Sequence, residues 1–235
     1  MVLALSLEIV KNLTNLNIKQ TEKINAIYNF LYINGLEVVG SFKPKENISE
    51  LGNIETILLI GPNEPNFWNI FVKSEEYNDK KPNPLDRWSR RLLEEIGIKE
   101  KVIAYFPFDE KNIWPFYSWA LECSEINASP VKLLIHNEKG LFLSFRGAIG
   151  LEFEIKNKRK SEGVCQNCQK PCLTACPVSA LTAKGYNVES CKKYMHSKKG
   201  NECRDGCLVR KSCPFGSSFR LPEQSAFHMR NFLKS

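Results

Sequence analysis

A chain of 235 residues, 43% of them apolar, can bury a substantial core and is long enough for two domains. No run approaches the roughly 18 apolar residues of a membrane span. The opening MVLALSLEIV has no basic n-region and is interrupted by Glu8, so it is not read as a secretory signal, and a cytoplasmic protein is expected. The net charge of +7 is uneven: residues 1–151 carry −2 and residues 152–235 carry +9.

The pattern along the chain predicts alternating helices and strands. In residues 21–34, Ile24, Ile27, Tyr28 and Leu31 recur at helical spacing, and Gly35 can end the helix. Leu36–Phe42 is short and β-prone. Ile57–Ile60, in TILLIGPNEP, is a continuous apolar run closed by Gly61 and Pro62, as in a buried strand. Phe67–Ser74 starts a further helix. In NPLDRWSRRLLEEIG, Asn83 can cap, Pro84 fits the first helical position and Asp86 the first turn. Leu85, Trp88, Leu92 and Ile96 form one stripe, and Gly97 is the expected stop. Arg90 with Glu94, and Arg91 with Glu95, are i,i+4 pairs. The plain reading is an amphipathic surface helix; the alternative turns Asp86, Arg87 or Arg90 toward a pocket.

Val102–Phe106 reads as another buried strand and Trp114–Cys123 as an aromatic-rich helix. VKLLIHNEKGLFLSFRGAIGL reads as a β-hairpin with Gly140 in its turn. The expected fold class is an α/β (α+β) N-terminal domain over residues 1–151. A charged linker follows at 152–163, then a cysteine-rich domain at 164–221. A C-terminal helix at 222–235 places Ala226, Met229 and Leu233 on one side.

Eight of the nine cysteines lie between residues 165 and 213. Both halves of this stretch give three cysteines and then a fourth followed at once by proline. The first half is C-x2-C-x3-C-x3-C-P and the second C-x11-C-x3-C-x5-C-P. Disulfides require an oxidising compartment, to which the chain shows no route. Zinc takes four thiolates, usually from two separated C-x2-C knuckles. A bacterial dicluster ferredoxin has C-x2-C-x2-C-x3-C-P, repeated, with the fourth cysteine crossing to the other 4Fe–4S cluster. Two 4Fe–4S clusters are therefore the leading reading, with zinc and disulfides as alternatives. The crossing rule assigns Cys165, Cys168, Cys172 and Cys213 to one centre, and Cys191, Cys203, Cys207 and Cys176 to the other. Val178–Ala183 is expected as the short helix between the two motifs. The fold expected for this stretch is a bacterial-ferredoxin-like two-cluster domain.

The positive charge of this region can offset the negative charge of such clusters, or dock an acidic redox partner. Nucleic acid is the less favoured partner, because the charges are scattered rather than striped. Cys123, outside the cluster region, reads as a small core residue. His136, at a strand end, is either a polar residue of the hairpin end or a ligand or proton donor. Arg146, among apolar residues in FLSFRGA, must find a counter-charge or face outward. Trp114, Phe116, Tyr117 and Trp119 either line a cofactor cavity or fill the core.

The motifs IGPNEP, NPLDRWSRR, WPFYSWA, SPVKLLIHNEKGLFLSFRGA, CQNCQKPCLTACPVSAL and QSAFHM together resemble a family of bacterial ferredoxin-like proteins with two 4Fe–4S centres. The order of parts is similar to epoxyqueuosine reductase and, more distantly, to reductive dehalogenases. Those enzymes join a corrinoid-binding α/β domain to a two-cluster domain. From TILLIG to IHNEKGLFLSFRGA the chain is also distantly similar to the cobalamin-processing protein that removes upper ligands from vitamin B12. The resemblance implies a redox protein passing electrons to a corrinoid-like cofactor, cobalamin, or to a substrate in the N-terminal domain. Arg146, His136 and Tyr117 are then candidates to line that pocket. No counterpart is expected of the helical-repeat tail that helps such reductases grip tRNA, and no catalytic acid falls on a matching motif. A plain electron carrier and a nucleic-acid-associated iron–sulfur protein are the alternatives.

Overall fold

The computed structural model describes residues 16–45, 51–156, 160–216 and 221–234. The elements are α1 (Ile18–Ile33), β1 (Leu36–Phe42), β2 (Thr56–Pro62), α2 (Asn66–Phe71), α3 (Glu75–Asn78), α4 (Pro84–Glu100), β3 (Ile103–Tyr105), α5 (Phe116–Glu122), β4 (Ile126–Ala128), β5 (Leu134–His136), β6 (Gly147–Leu151), β7 (Leu181–Thr182), β8 (Gly185–Tyr186), α6 (Val188–His196), α7 (Asn201–Arg204), α8 (Leu208–Lys211) and α9 (Pro222–Lys234). The chain divides into two compact units. The first comprises Met1–Ser124 and Ser144–Lys160, the second Glu125–Leu143 and Ser161–Ser235. Among the described residues no helix is long and apolar enough to cross a membrane. The opening segment judged against a signal sequence lies outside the described residues.

The apolar run TILLIGP is the axis of the first unit. As β2 it is buried along its whole length, which requires a strand on each side and covered faces. It pairs antiparallel with β1 and with β6, and β3 adds to the far side of β6, giving the order β1-β2-β6-β3. A bulge between Val38 and Gly40 interrupts the β1–β2 register. The unit is thus mixed α and β, with an antiparallel sheet.

Helix α4 packs against β6 and β3 of this sheet. Leu85, Trp88, Leu92, Leu93 and Ile96 are buried on one face. Trp88 meets Phe67 and Phe71 edge-on, each at 5.5 Å between ring centroids. Pro84 opens the helix as expected. Gly97 does not close it: the helix runs to Glu100, and Lys101 ends it in a left-handed conformation at φ 54°. Gly97 instead lies in the buried face. Arg91 hydrogen-bonds to Glu76 at 2.6 and 3.3 Å, a long-range partner that helical spacing could not show.

Two further expectations change here. Residues 134–151 do not form a hairpin. β5 pairs backwards with β4, across a turn in which Lys132 takes φ 64° and its N–H reaches Ser129 O at 2.9 Å. β6 joins the sheet of the other unit. Gly140 does sit in a tight turn, where it and His136 exchange backbone hydrogen bonds at 2.9 and 3.1 Å. The charged stretch from 152 also begins inside the first unit. Ile155 is buried, Thr56 Oγ1 donates to Phe153 O, and Ile155 N donates to Thr56 Oγ1, both at 2.9 Å.

The second unit has a core in which cysteines pack among aliphatic side chains. Val131, Ile135 and Leu141 pack with Cys172, Leu181, Val209 and Cys213. This explains why residues 125–143 belong with the cysteine-rich chain rather than with the N-terminal region: without their apolar side chains the cysteine segment has little to bury. Val178–Ala183 is not helical. Ser179 takes φ 49°, a left-handed conformation that stops a helix, and Leu181–Thr182 turns back to pair with Gly185–Tyr186.

Candidate metal centres

Sequence spacing alone made the two cysteine halves look alike; the fold treats them differently. Cys165 and Cys168 lie in successive turns, and Cys172 lies on a 3-10 turn, Pro171–Leu173. Lys170, at φ 57°, sets that turn. Cys191 lies on α6, which Asn187 caps by accepting from Ser190 N at 2.9 Å. Cys203 lies on α7, Cys207 is the N-terminal flank of α8, and Cys213 follows α8.

These elements gather the eight cysteines around two cavities. Cys165, Cys168, Cys172 and Cys213 line one, with Ile135, Leu141, Pro171 and Phe215 among its walls. Cys176, Cys191, Cys203 and Cys207 line the other, with Leu181, Tyr194, Val209 and Met229. Each set of four takes three cysteines from one half and its fourth from the other half. Among the described residues, no group of three or more His, Cys, Asp or Glu converges on a point that could hold one metal ion. The thiols stand around cavity walls instead.

The electrostatics follow from this crowding. Burial pushes the Cys165 thiol up, and the negative charge that Cys168, Cys172 and Cys213 would carry pushes it further. Cys172 is raised by burial and then by Cys213 and Cys168. In the second cavity burial raises Cys203, with Cys207, Cys191 and Cys176 adding to it. Burial raises Cys191 as well, opposed by a hydrogen bond from Tyr186. Four thiolates cannot share such a space without positive charge among them, and a coordinated metal supplies it by displacing the thiol protons. Backbone N–H groups already point at sulfur in each cavity: Lys170 N to Cys168 Sγ at 3.3 Å, and Ala180 N to Cys176 Sγ at 3.1 Å. Four thiols, apolar walls and amide donors to sulfur fit an iron–sulfur cluster in each cavity.

The other sequence candidates lie elsewhere. His136 belongs to the second unit, not to an N-terminal pocket. It is buried, and its Nδ1 accepts from Glu138 N at 3.1 Å and Lys139 N at 3.3 Å, which fixes the turn leading to Gly140. Arg146, in the first unit, does not face outward. Its side chain is 13% exposed and its Nη1 lies 3.5 Å from Asp86 Oδ1. Burial pushes the guanidinium down and Asp86 opposes it, while burial raises the Asp86 carboxyl against the pull of Arg146 and Arg90. Arg87 is bound by Asp79 at 2.7 and 2.8 Å, and Arg90 lies 4.3 Å over the Phe106 ring. Tyr117 is 46% exposed. Trp114, Phe116 and Trp119 pack together with Tyr105, at centroid distances from 4.8 to 5.7 Å; Tyr105, Phe116 and Trp119 are buried core, and Trp114 is half-buried against them. Cys123 is fully buried.

Sequence reasoning missed Arg210, whose Nη1 donates to the carbonyl of Leu141, a residue in the wall of the first cavity. Arg210 stands three residues from both Cys207 and Cys213, and that spacing was the available signal. No family model matches this chain, and no curated protein matches it. It is similar to two solved structures of epoxyqueuosine reductase. The selenomethionine-labelled enzyme is 14% identical with a TM-score of 0.49. The enzyme with an epoxyqueuosine-modified tRNA-Tyr stem loop is 15% identical, also at 0.49. Each comparison covers 88% of this chain and 69% of the other.

Proposed function

We propose that this chain is an iron–sulfur redox protein that holds two 4Fe–4S clusters and passes electrons through them. The observation that carries the reading is the sorting of eight cysteines into two fours, each completed by the cysteine that precedes a proline in the opposite half. A 4Fe–4S cluster supplies reversible one-electron transfer at nearly fixed geometry. The protein's own part is to hold four thiolates, exclude water with Leu141, Leu181 and Val209, and direct amide hydrogens at sulfur.

The carrier reading is favoured over a corrinoid enzyme, because Phe116 and Trp119, two of the aromatic residues that a corrinoid pocket would use, are buried in the core of the first unit. Electrons would come from a partner protein with an acidic surface, complementary to the +9 of residues 152–235. The test is anaerobic reductive titration of the reconstituted protein. Uptake of two electrons per chain, one per cluster, is the expected result. A protein with full iron and sulfide that takes up no electrons would leave the clusters structural and the redox reading wrong.

A further inference from the structure

The first cavity has one polar wall group besides its four thiols that finds no partner in the protein. Ser129 lies at the turn between β4 and β5 and lines that cavity next to Pro130 and Ile135. Its backbone is pinned. The Ser129 N–H donates to Leu133 O at 2.8 Å, and its carbonyl accepts from Lys132 N at 2.9 Å. The residue is 4% exposed. Its Oγ is buried and has no hydrogen-bond partner among the described residues, cysteine sulfur included. Rotation about χ1 is the one freedom left to this hydroxyl. Among the described residues, no side chain lining the second cavity carries a buried nitrogen or oxygen without a partner.

A buried hydroxyl without a partner is destabilising, and proteins seldom leave one so. A serine hydroxyl has one hydrogen to donate. The acceptors that a 4Fe–4S cluster brings into such a cavity are its inorganic sulfides, and hydrogen bonds to cluster sulfur help to set its potential. An added electron makes those sulfides more negative, so a donor stabilises the reduced form more than the oxidised one. We propose that Ser129 donates its hydroxyl hydrogen to a sulfide of the cluster held by Cys165, Cys168, Cys172 and Cys213, and so raises the potential of that cluster. The proposal rests on the two-cluster reading above. Ser129 tunes the centre and is not a catalytic residue. No covalent bond is made or broken in the step, and the electron comes from an external one-electron donor.

The experiment is a potentiometric titration, followed by EPR, of the reconstituted full-length chain as parent, Ser129→Ala and Ser129→Thr. Ser129→Ala removes one buried oxygen and leaves the backbone hydrogen bonds in place. It should lower the midpoint of one cluster by about a tenfold loss in electron affinity, 59 mV for one electron, and leave the other midpoint unmoved. Ser129→Thr keeps the hydroxyl and should keep the parental value. Cys176→Ser retains all four ligands of the first cavity, and adding Ser129→Ala to it should reproduce the shift. Iron and sulfide are measured on every sample. A parent without clusters would overturn the two-cluster reading itself. With the parent fully loaded, unmoved midpoints in Ser129→Ala, an equal fall in Ser129→Thr, or a shift missing from the Cys176→Ser background would overturn this proposal alone. So would a Ser129→Ala protein that loads only the other cluster, because the residue would then be structural.

Discussion

Gly140 offers a substitution whose effect can be worked out from the structure. It takes φ +57°, and a Cβ built on it would lie 1.9 Å from Phe215 O and 3.2 Å from Cys213 Sγ. Gly216 answers it from the other side, with Lys139 O 2.0 Å from its own Cβ position. Two glycines thus let the turn at 139–140 lie against the chain that leaves Cys213. Gly140→Ala adds two costs. Left-handed backbone in a non-glycine residue costs about 1–2 kcal/mol. Displacing the Phe215 carbonyl by more than an ångström costs roughly 1–3 kcal/mol, as in an overpacked core. The sum, roughly 2–5 kcal/mol, is a large share of a typical domain stability of about 5–15 kcal/mol, and it falls two residues from a cluster ligand.

Gly52 is the matched control. It has the same φ of +57°, but nothing lies within 4 Å of its Cβ position. Gly52→Ala therefore carries the backbone cost without the collision. The assay is iron and sulfide content after anaerobic reconstitution, followed by the urea midpoint for loss of visible cluster absorption. Gly140→Ala should lose the cluster of Cys165, Cys168, Cys172 and Cys213 and bleach at lower urea. Gly52→Ala should keep its full iron. A Gly140→Ala protein with full iron and the parental midpoint would refute the close-approach argument.

Other outcomes follow from particular contacts. Cys176→Ser should abolish the EPR signal of the cluster that also uses Cys191, Cys203 and Cys207, and spare the one held by the other three cysteines of its own half; the opposite pattern would mean that the fourth cysteines do not cross. Glu76 is buried against Arg91, whose guanidinium holds its carboxyl below the usual carboxylate range. A folded-state pKa lower than the unfolded one stabilises above the unfolded value, about 4.3, and that stabilisation is lost as pH falls through the folded value. Glu76→Gln should therefore cost about 1–2 kcal/mol at neutral pH, limited by the half-exposed Arg91, and the gap from the parent in urea unfolding should close below about pH 4. Titration with cob(II)alamin should give no saturable binding and no change in the cobalt EPR spectrum; saturable binding would restore the corrinoid reading.

How much of this was legible beforehand depends on the range of the interaction that decides each feature. The strands at 36–42 and 57–60 and the helix opening at Pro84 are written in local periodicity and in proline's fixed φ, and the structure keeps them. The end of that helix is not, because burial of Gly97 outweighs its tendency to stop a helix. The turn at Gly140 was readable, since it needs a left-handed residue. The strands around it were not: β5 and β6 choose partners far apart in the chain, and apolar runs pair equally well with several neighbours. The same long-range choice moved residues 125–143 into the cysteine-rich unit. Arg146 was read as a charge that must find a counter-charge or face outward, and Asp86 is a partner that only the fold reveals; so are the amides of Glu138 and Lys139, which meet His136.

Metal and sulfide analysis of anaerobically prepared protein tests the central claim most directly. Two 4Fe–4S clusters on eight cysteines require close to eight iron and eight acid-labile sulfide per chain, and that is the expected result. Two zinc per chain with negligible sulfide would mean that the cysteines hold single tetrahedral ions, and would contradict it.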